Sequence, residues 1–149
     1  MMKEKVLSQE SLNRMEELES LLSSHEQLEL PTEHFFIEGV YCRRVFRPEG
    51  TAILGKVHKK EHLFMCAKGK IIVLNAETGE NPVVLNAGDI VISKPGTKRA
   101  TFAVVDSIGV TIHRTNALTV EDAELELVED DPGSPFGVGN KLRVGVLES

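Results

Sequence analysis

Two histidines, His58 and His62, stand four residues apart in GTAILGKVHKKEHLFMCAKG, residues 50–69. A neutral imidazole offers one ring lone pair to a divalent ion, with the nitrogen about 2.1 Å from a metal such as zinc. In a straight strand four residues span roughly 13 Å, so the pair can share an ion only if the chain reverses between them. The intervening KKE suits a reversal. Lysines and a glutamate at a hairpin tip stay solvated, and residues flanking a tight turn face each other with Cβ atoms about 5 Å apart. A helix would also put the pair on one face, but TAILGKV before it and KIIVL after it are β-branched and broken by Gly55 and Gly69. Two exposed polar residues beside a surface turn would show the same spacing with no chemistry at all.

The elements that must position these residues are mostly strands. From residue 35 to about 115, short β-branched and apolar runs alternate with turn residues: GVYCRRVF, PEG, TAILGKV, HLFMCA, KG, KIIVLN, the loop AETGENP, VVLN, AGD, IVISK, PGTK, RATFAVV, DS and IGVTIHR. About eight strands with frequent turns predict an antiparallel sandwich or small barrel, an all-β domain. The expected organisation is a lead-in over residues 1–34, the β domain over 35–118, and a tail over 119–149. In the lead-in, SQESLNRMEELESLLSS at 8–24 predicts an α-helix with Leu12, Met15, Leu18 and Leu22 on one stripe and Ser8 at its cap. In the tail, TVEDAELELVED reads equally as a short acidic helix or a strand. DDPGSPFGVGN reads as linker, and KLRVGVLE as an edge strand able to exchange with a neighbouring subunit.

Bulk properties narrow the function. The 149 residues carry 17 Lys and Arg against 23 Asp and Glu, a formal charge of −6. That balance opposes nucleic-acid or anionic-membrane partners, and no run of about 18 apolar residues is present to span a bilayer. The opening MMKEKVLSQESLN lacks the apolar stretch of a signal peptide, so a cytoplasmic protein is expected. Cys42 and Cys66 lack metal-type spacing and read as free thiols of a reducing compartment. No Gly-rich phosphate loop, serine elbow or CxxC motif occurs.

The β-rich segment also resembles the cupin superfamily. Gly50, Lys56, His58, His62 and Gly69 follow the first cupin motif, with both glycines in register, lysine where a first histidine is usual and His62 where a glutamate is usual. Gly88, Pro95, Gly96 and Arg99 resemble the second motif, with six residues instead of five before the proline, the glycine directly after it, and arginine at the usual histidine position. The chain is similar to short single-domain cupin-like proteins often encoded in bacteriophage genomes. Gly50 and Gly88 also suit positive φ at turns on their own account. The resemblance implies a single-domain cupin, a jelly-roll barrel with a ligand-sized mouth, and at least a homodimer.

Two of the four family ligand positions thus hold imidazoles and two hold cations. Arginine stays protonated and does not ligate a metal. A third imidazole is available from His113 in IGVTIHRT, on the strand after the one carrying Arg99, if those strands pair across the DS turn. Val110 and Ile112 lie on the other face of that strand, so the alternation alone leaves open which way His113 points. Three histidines with open positions would suit zinc, iron, nickel, copper or manganese. Arg99 and Lys56 would then orient an acidic small molecule, and Tyr41 is either core or a pocket phenol. The first functional expectation is therefore a metal-binding cupin, a candidate metal-dependent enzyme on a small acidic molecule. Its competitors are a non-catalytic cupin holding an anion through Lys56 and Arg99, and a structural or assembly protein with a degenerate site. Glu61 should point away from the site. His25 is expected to be solvated and His34 to pack or turn. PGTKR at 95–99 is either a solvated turn or an anion clamp.

Overall fold

The structure is a computed structural model describing residues 29–75 and 82–129. These form nine strands: β1 Thr32–Ile37, β2 Val40–Arg47, β3 Ala52–Leu54, β4 His62–Lys68, β5 Lys70–Asn75, β6 Val83–Asn86, β7 Ile90–Ser93, β8 Arg99–Ala103 and β9 Ser107–Arg114. A single described helix follows, α1 Val120–Leu127. The expected β-rich character is present, but it starts earlier than read from the sequence, because β1 begins inside the lead-in. The segment left open between helix and strand is helical. Thr119 caps it, its Oγ1 accepting from the Asp122 amide at 3.2 Å, and Glu121 and Asp122 place acidic charge in the first turn, as a helix N-terminus favours. The helix expected over 8–24, the linker and the KLRVGVLE strand lie outside the described residues.

The strands hydrogen-bond as two antiparallel sheets, β1-β2-β9-β4-β7 and β3-β8-β5-β6. Register fixes which side chains share the inner face of the first sheet. Phe36, Tyr41, His113, His62 and Ser93 lie directly opposite one another, one from each of its strands, in a single row across it. His34, Arg43, Thr111, Phe64 and Val91 form the parallel row two residues along. The sheets meet through Phe64 and Cys66 of β4 against Ile71 and Val73 of β5 and Leu85 of β6. A second cluster joins Tyr41 to Ala123 and Leu127, so α1 packs over the sheet beside the row that holds two histidines.

Two glycines admit close contacts that matter here. Gly69 has φ +83, and a Cβ there would lie 2.5 Å from the Asp106 carbonyl oxygen; the chain passes at this point from one sheet to the other. On β9, a Cβ on Gly109 would lie 2.7 Å from Arg47 Nη2, so the missing side chain makes room for a buried guanidinium. Gly50 and Gly88 adopt positive φ as expected. Cys42 and Cys66 are free thiols, also as expected. The outer face of the first sheet is apolar at both edges: Phe35 and Ile37 on β1 and Ile90 and Ile92 on β7 are exposed, the last two at 55% and 59%. Among the described residues no helix is long and apolar enough to cross a membrane.

Candidate metal centre

His62 opens β4 and His113 lies near the end of β9, and the two are direct cross-strand partners with ring centroids 4.7 Å apart. Inward alternation along β9 therefore selects His113, and Val110 and Ile112 take the opposite face. His58 arrives by a different route from the expected hairpin. β3 and β4 belong to different sheets, so residues 55–61 cross between sheets and do not flank a two-stranded turn. The crossing starts where β3 runs out against β8, with the Gly55 amide donating to the Arg99 carbonyl at 2.9 Å. The reversal still turns the first two imidazoles together. His58 and His62 centroids lie 4.2 Å apart, and His58 and His113 5.4 Å.

The His58 segment is held from both sides. Its amide donates to the Thr97 carbonyl at 3.0 Å, and its carbonyl accepts from the Gly96 amide at 2.8 Å. On the other side the Lys59 amide donates to Leu127 and the Glu129 amide to Val57, at 2.7 and 2.9 Å, around an isolated bridge between His58 and Val128. Lys60 and Glu126 add an ion pair at 2.5 Å, and Glu126 also bonds Thr115. The PGTKR turn thus has a structural role, because it fixes the backbone of a histidine.

The three imidazoles form one group whose potential ligand atoms all lie within 4.8 Å of one another. Nitrogens bound about 2.1 Å from one ion in tetrahedral or octahedral geometry stand roughly 3.0–3.4 Å apart, so small ring movements close the site. Protonation chemistry fits as well. Burial drives His58 down to about 2 and His113 to about 3, helped by neighbouring imidazoles and Arg43, and burial also lowers His62. All three are neutral at physiological pH, the form that ligates metal. The tautomer of His62 is set by its Nδ1, which donates to the Lys60 carbonyl at 3.3 Å and leaves Nε2 with its lone pair free to face an ion. His58 Nε2 is buried with no hydrogen-bond partner. Buried polar atoms are rarely left unpaired, and an ion at the centre of the three rings would satisfy this one.

The other expected site residues divide. Arg99 opens β8 and lies close enough to His62 for its charge to oppose protonation of that ring. Lys56 lies on the crossing loop and meets the site through its backbone, which bonds the His58 ring. Tyr41 is buried at 2% exposure and stacks on Phe36 and His113, with its hydroxyl on His34 Nδ1 at 2.6 Å. Its phenol is therefore committed behind the histidines, and His34 packs as expected. Glu61 points outward to Lys94 at 3.5 Å. His25 lies outside the described residues.

Four polar neighbours are not evident from the sequence. Arg43 and Thr111 lie one row from the histidines, Ser93 lies opposite His62, and Glu124 reaches in from α1 to Arg43 at 3.5 Å. Ser93 Oγ and Thr111 Oγ1 are buried without partners, like His58 Nε2. A signal for Arg43 is present in CRRV: on a strand, consecutive Arg43 and Arg44 must point to opposite faces, so one has to turn inward.

No protein-family model matches the sequence, and no curated protein matches it significantly. Solved structures do. Salicylate 1,2-dioxygenase from Pseudoaminobacter salicylatoxidans, in adducts with gentisate, matches with TM-score 0.58 and 12% identity over 89% of this chain and 40% of that one. The DMSP lyase DddQ from Ruegeria pomeroyi matches with TM-score 0.51 and 19% identity over 61% of this chain and 49% of that one. A cupin superfamily protein from Desulfitobacterium hafniense matches with TM-score 0.50 and 12% identity over 63% of this chain and 86% of that one. The chain spans about half the length of the lyase and less than half of the dioxygenase. At these identities the likeness is one of fold, and the fold is that of cupin superfamily structures.

Proposed function

We propose that this chain binds one divalent transition-metal ion through His58, His62 and His113 and presents the open coordination positions to a small acidic molecule. The observation that carries the reading is the convergence of three neutral imidazoles, His62 and His113 buried and His58 half-buried with an unpartnered Nε2. The donor set is all nitrogen and suits zinc, iron, nickel, copper or manganese; bound there, the ion would act as a Lewis acid, or in the case of iron support oxygen-dependent chemistry. The acidic ligand is supported by the cations around the imidazoles, Arg43 and Arg99. It is supported also by the fold likeness to an enzyme named for salicylate and seen with gentisate, both carboxylates. The same geometry serves a protein that holds such a molecule without converting it, and turnover of the bound acid separates the two. We also propose a homo-oligomer, supported by the exposed apolar edges of the first sheet.

Elemental analysis of untagged protein tests the metal reading. About one transition-metal ion per chain is expected, with loss of the ion in a His58→Ala, His62→Ala double variant whose circular dichroism stays unchanged. Protein that folds, stays metal-free and takes up no ion on incubation would overturn it. Size measurement of the full chain, and of chains lacking residues 1–26 or 132–149, tests self-association; a monomer in every case would contradict it.

A further inference from the structure

Arg43 faces inward beside the histidines, one same-face step along β2 from Tyr41, about 6.8 Å of strand. Its cross-strand partner is Thr111, whose Oγ1 is buried and has no partner. Arg43 is near enough to all three imidazoles for its charge to oppose their protonation. Deeper in the same interior lies Arg47, 6% exposed, with Nη1 on Thr101 Oγ1 at 2.7 Å, its guanidinium over the Phe64 ring and its Nε unpartnered. Against these two guanidiniums stands one acidic side chain buried among the described residues, Glu124.

Glu124 is placed against the usual preference of a helix. α1 turns Glu124 inward at 8% exposure and leaves the adjacent Leu125 75% exposed. Burying a carboxylate in place of a leucine costs free energy unless a charge receives it. Arg43 is that charge, yet the contact is a long one, Nη1 to Oε1 at 3.5 Å, outside the range of a charge-assisted hydrogen bond. The guanidinium also donates to the Tyr41 hydroxyl, and its planar fork can take a closer, two-pronged carboxylate than this contact supplies.

We infer that Arg43 and Thr111 form the carboxylate subsite of the metal centre, and that Glu124 is the chain's own carboxylate, occupying the subsite until an acidic ligand displaces it. The inference deepens the acidic-ligand reading above and rests on it. It names the ligand class as a small carboxylic acid held by its carboxylate at Arg43, with its remaining groups toward the histidines. Neutral analogues would leave Glu124 in place.

Calorimetric titration of the full chain with benzoate, and with benzamide as the neutral control, tests it in metal-loaded and metal-free protein. Replacing Glu124→Gln removes the competing charge and keeps the shape. It should tighten benzoate about tenfold, the scale of one charge-assisted hydrogen bond, and leave benzamide unaffected. Arg43→Gln should abolish benzoate binding; Arg43→Lys, which keeps the charge and loses the fork, should weaken it. Unchanged or weaker benzoate binding in the Glu124→Gln variant, or benzoate binding that survives Arg43→Gln, would overturn the inference. The two readings fail separately. An erroneous metal site leaves the protein without an ion but keeps the tightening by Glu124→Gln in metal-free protein. An erroneous subsite leaves the ion in place and the benzoate affinity indifferent to residue 124.

Discussion

Acid should destabilise the metal-free protein well above the pH at which its carboxylates protonate, and the size of the effect follows from two rings. Burial holds His58 at about 2 and His113 at about 3, whereas in the unfolded chain each titrates near the ordinary value of about 6.5. Above that value both states are neutral at these positions and stability does not change. Below it the unfolded chain takes up protons that the native chain refuses, so stability falls as pH falls, by about 1.4 kcal/mol per unit for each ring. At pH 5 each ring has removed about 2 kcal/mol, and the pair about 4 kcal/mol, a large share of the ~5–15 kcal/mol of an ordinary domain. His62, whose pKa is also lowered by burial, acts in the same direction. Stopping at pH 5 keeps the experiment above the range of Glu126, whose carboxyl the hydrogen bonds from Lys60 and Thr115 hold below the usual value. Urea unfolding with a chelator present, at intervals from pH 7.5 to 5, measures the slope. A His58→Gln, His113→Gln double variant should be flatter by most of that amount. A wild-type loss below about 1 kcal/mol, or an equal loss in the double variant, would refute the linkage argument.

Further outcomes follow from the interior. Gly109→Ala should destabilise the fold by about 1–3 kcal/mol in chemical unfolding, as overpacking does, because its methyl would fall on the Arg47 guanidinium; a neutral substitution would show that Arg47 moves freely. Cys66 is fully buried and burial raises its thiol pKa, so a disulfide reagent should leave it unmodified in native protein and reach it on unfolding. Rapid labelling without denaturant would contradict that placement. Truncating the Lys60–Glu126 contact with Glu126→Ala should weaken metal affinity by about tenfold while leaving one ion per chain at saturation, since outer partners orient the ligands they hold. An unchanged affinity would show that the backbone clamp alone holds His58.

The strands are legible because hydrophobic alternation and turn residues are local signals: β2 to β9 follow the runs read from the sequence, whereas β1 falls in the segment read as lead-in. His58 and His62 are legible because they sit beside a charged reversal, but His113 joins them by another pairing than the one expected: β8, with Arg99, and β9 fall in different sheets, and β9 pairs with β4 instead. What the sequence conceals is how His58 arrives. The spacing of His58 and His62 suggests partners on one hairpin, but their segments are divided by the crossing between two sheets and the facing partner of His62 is His113. That division depends on nonlocal pairing of β4 with β9 and β7, which no short window of sequence contains. Arg43 is hard to find because charged strand residues usually face solvent, and only the doubled arginine in CRRV forces one of the two inward. Glu124 is harder still, because the segment around it has no decisive period; only the packing of Ala123 and Leu127 on Tyr41 fixes which face of α1 turns in.

The central claim is that His58, His62 and His113 hold one ion between them. Anomalous diffraction from crystals of the full chain grown with zinc, recorded on both sides of the zinc edge, tests it most directly. A single strong anomalous peak is expected between the three rings, about 2.1 Å from one nitrogen of each. An empty centre with the rings unmoved, or zinc bound only elsewhere on the surface, would contradict it.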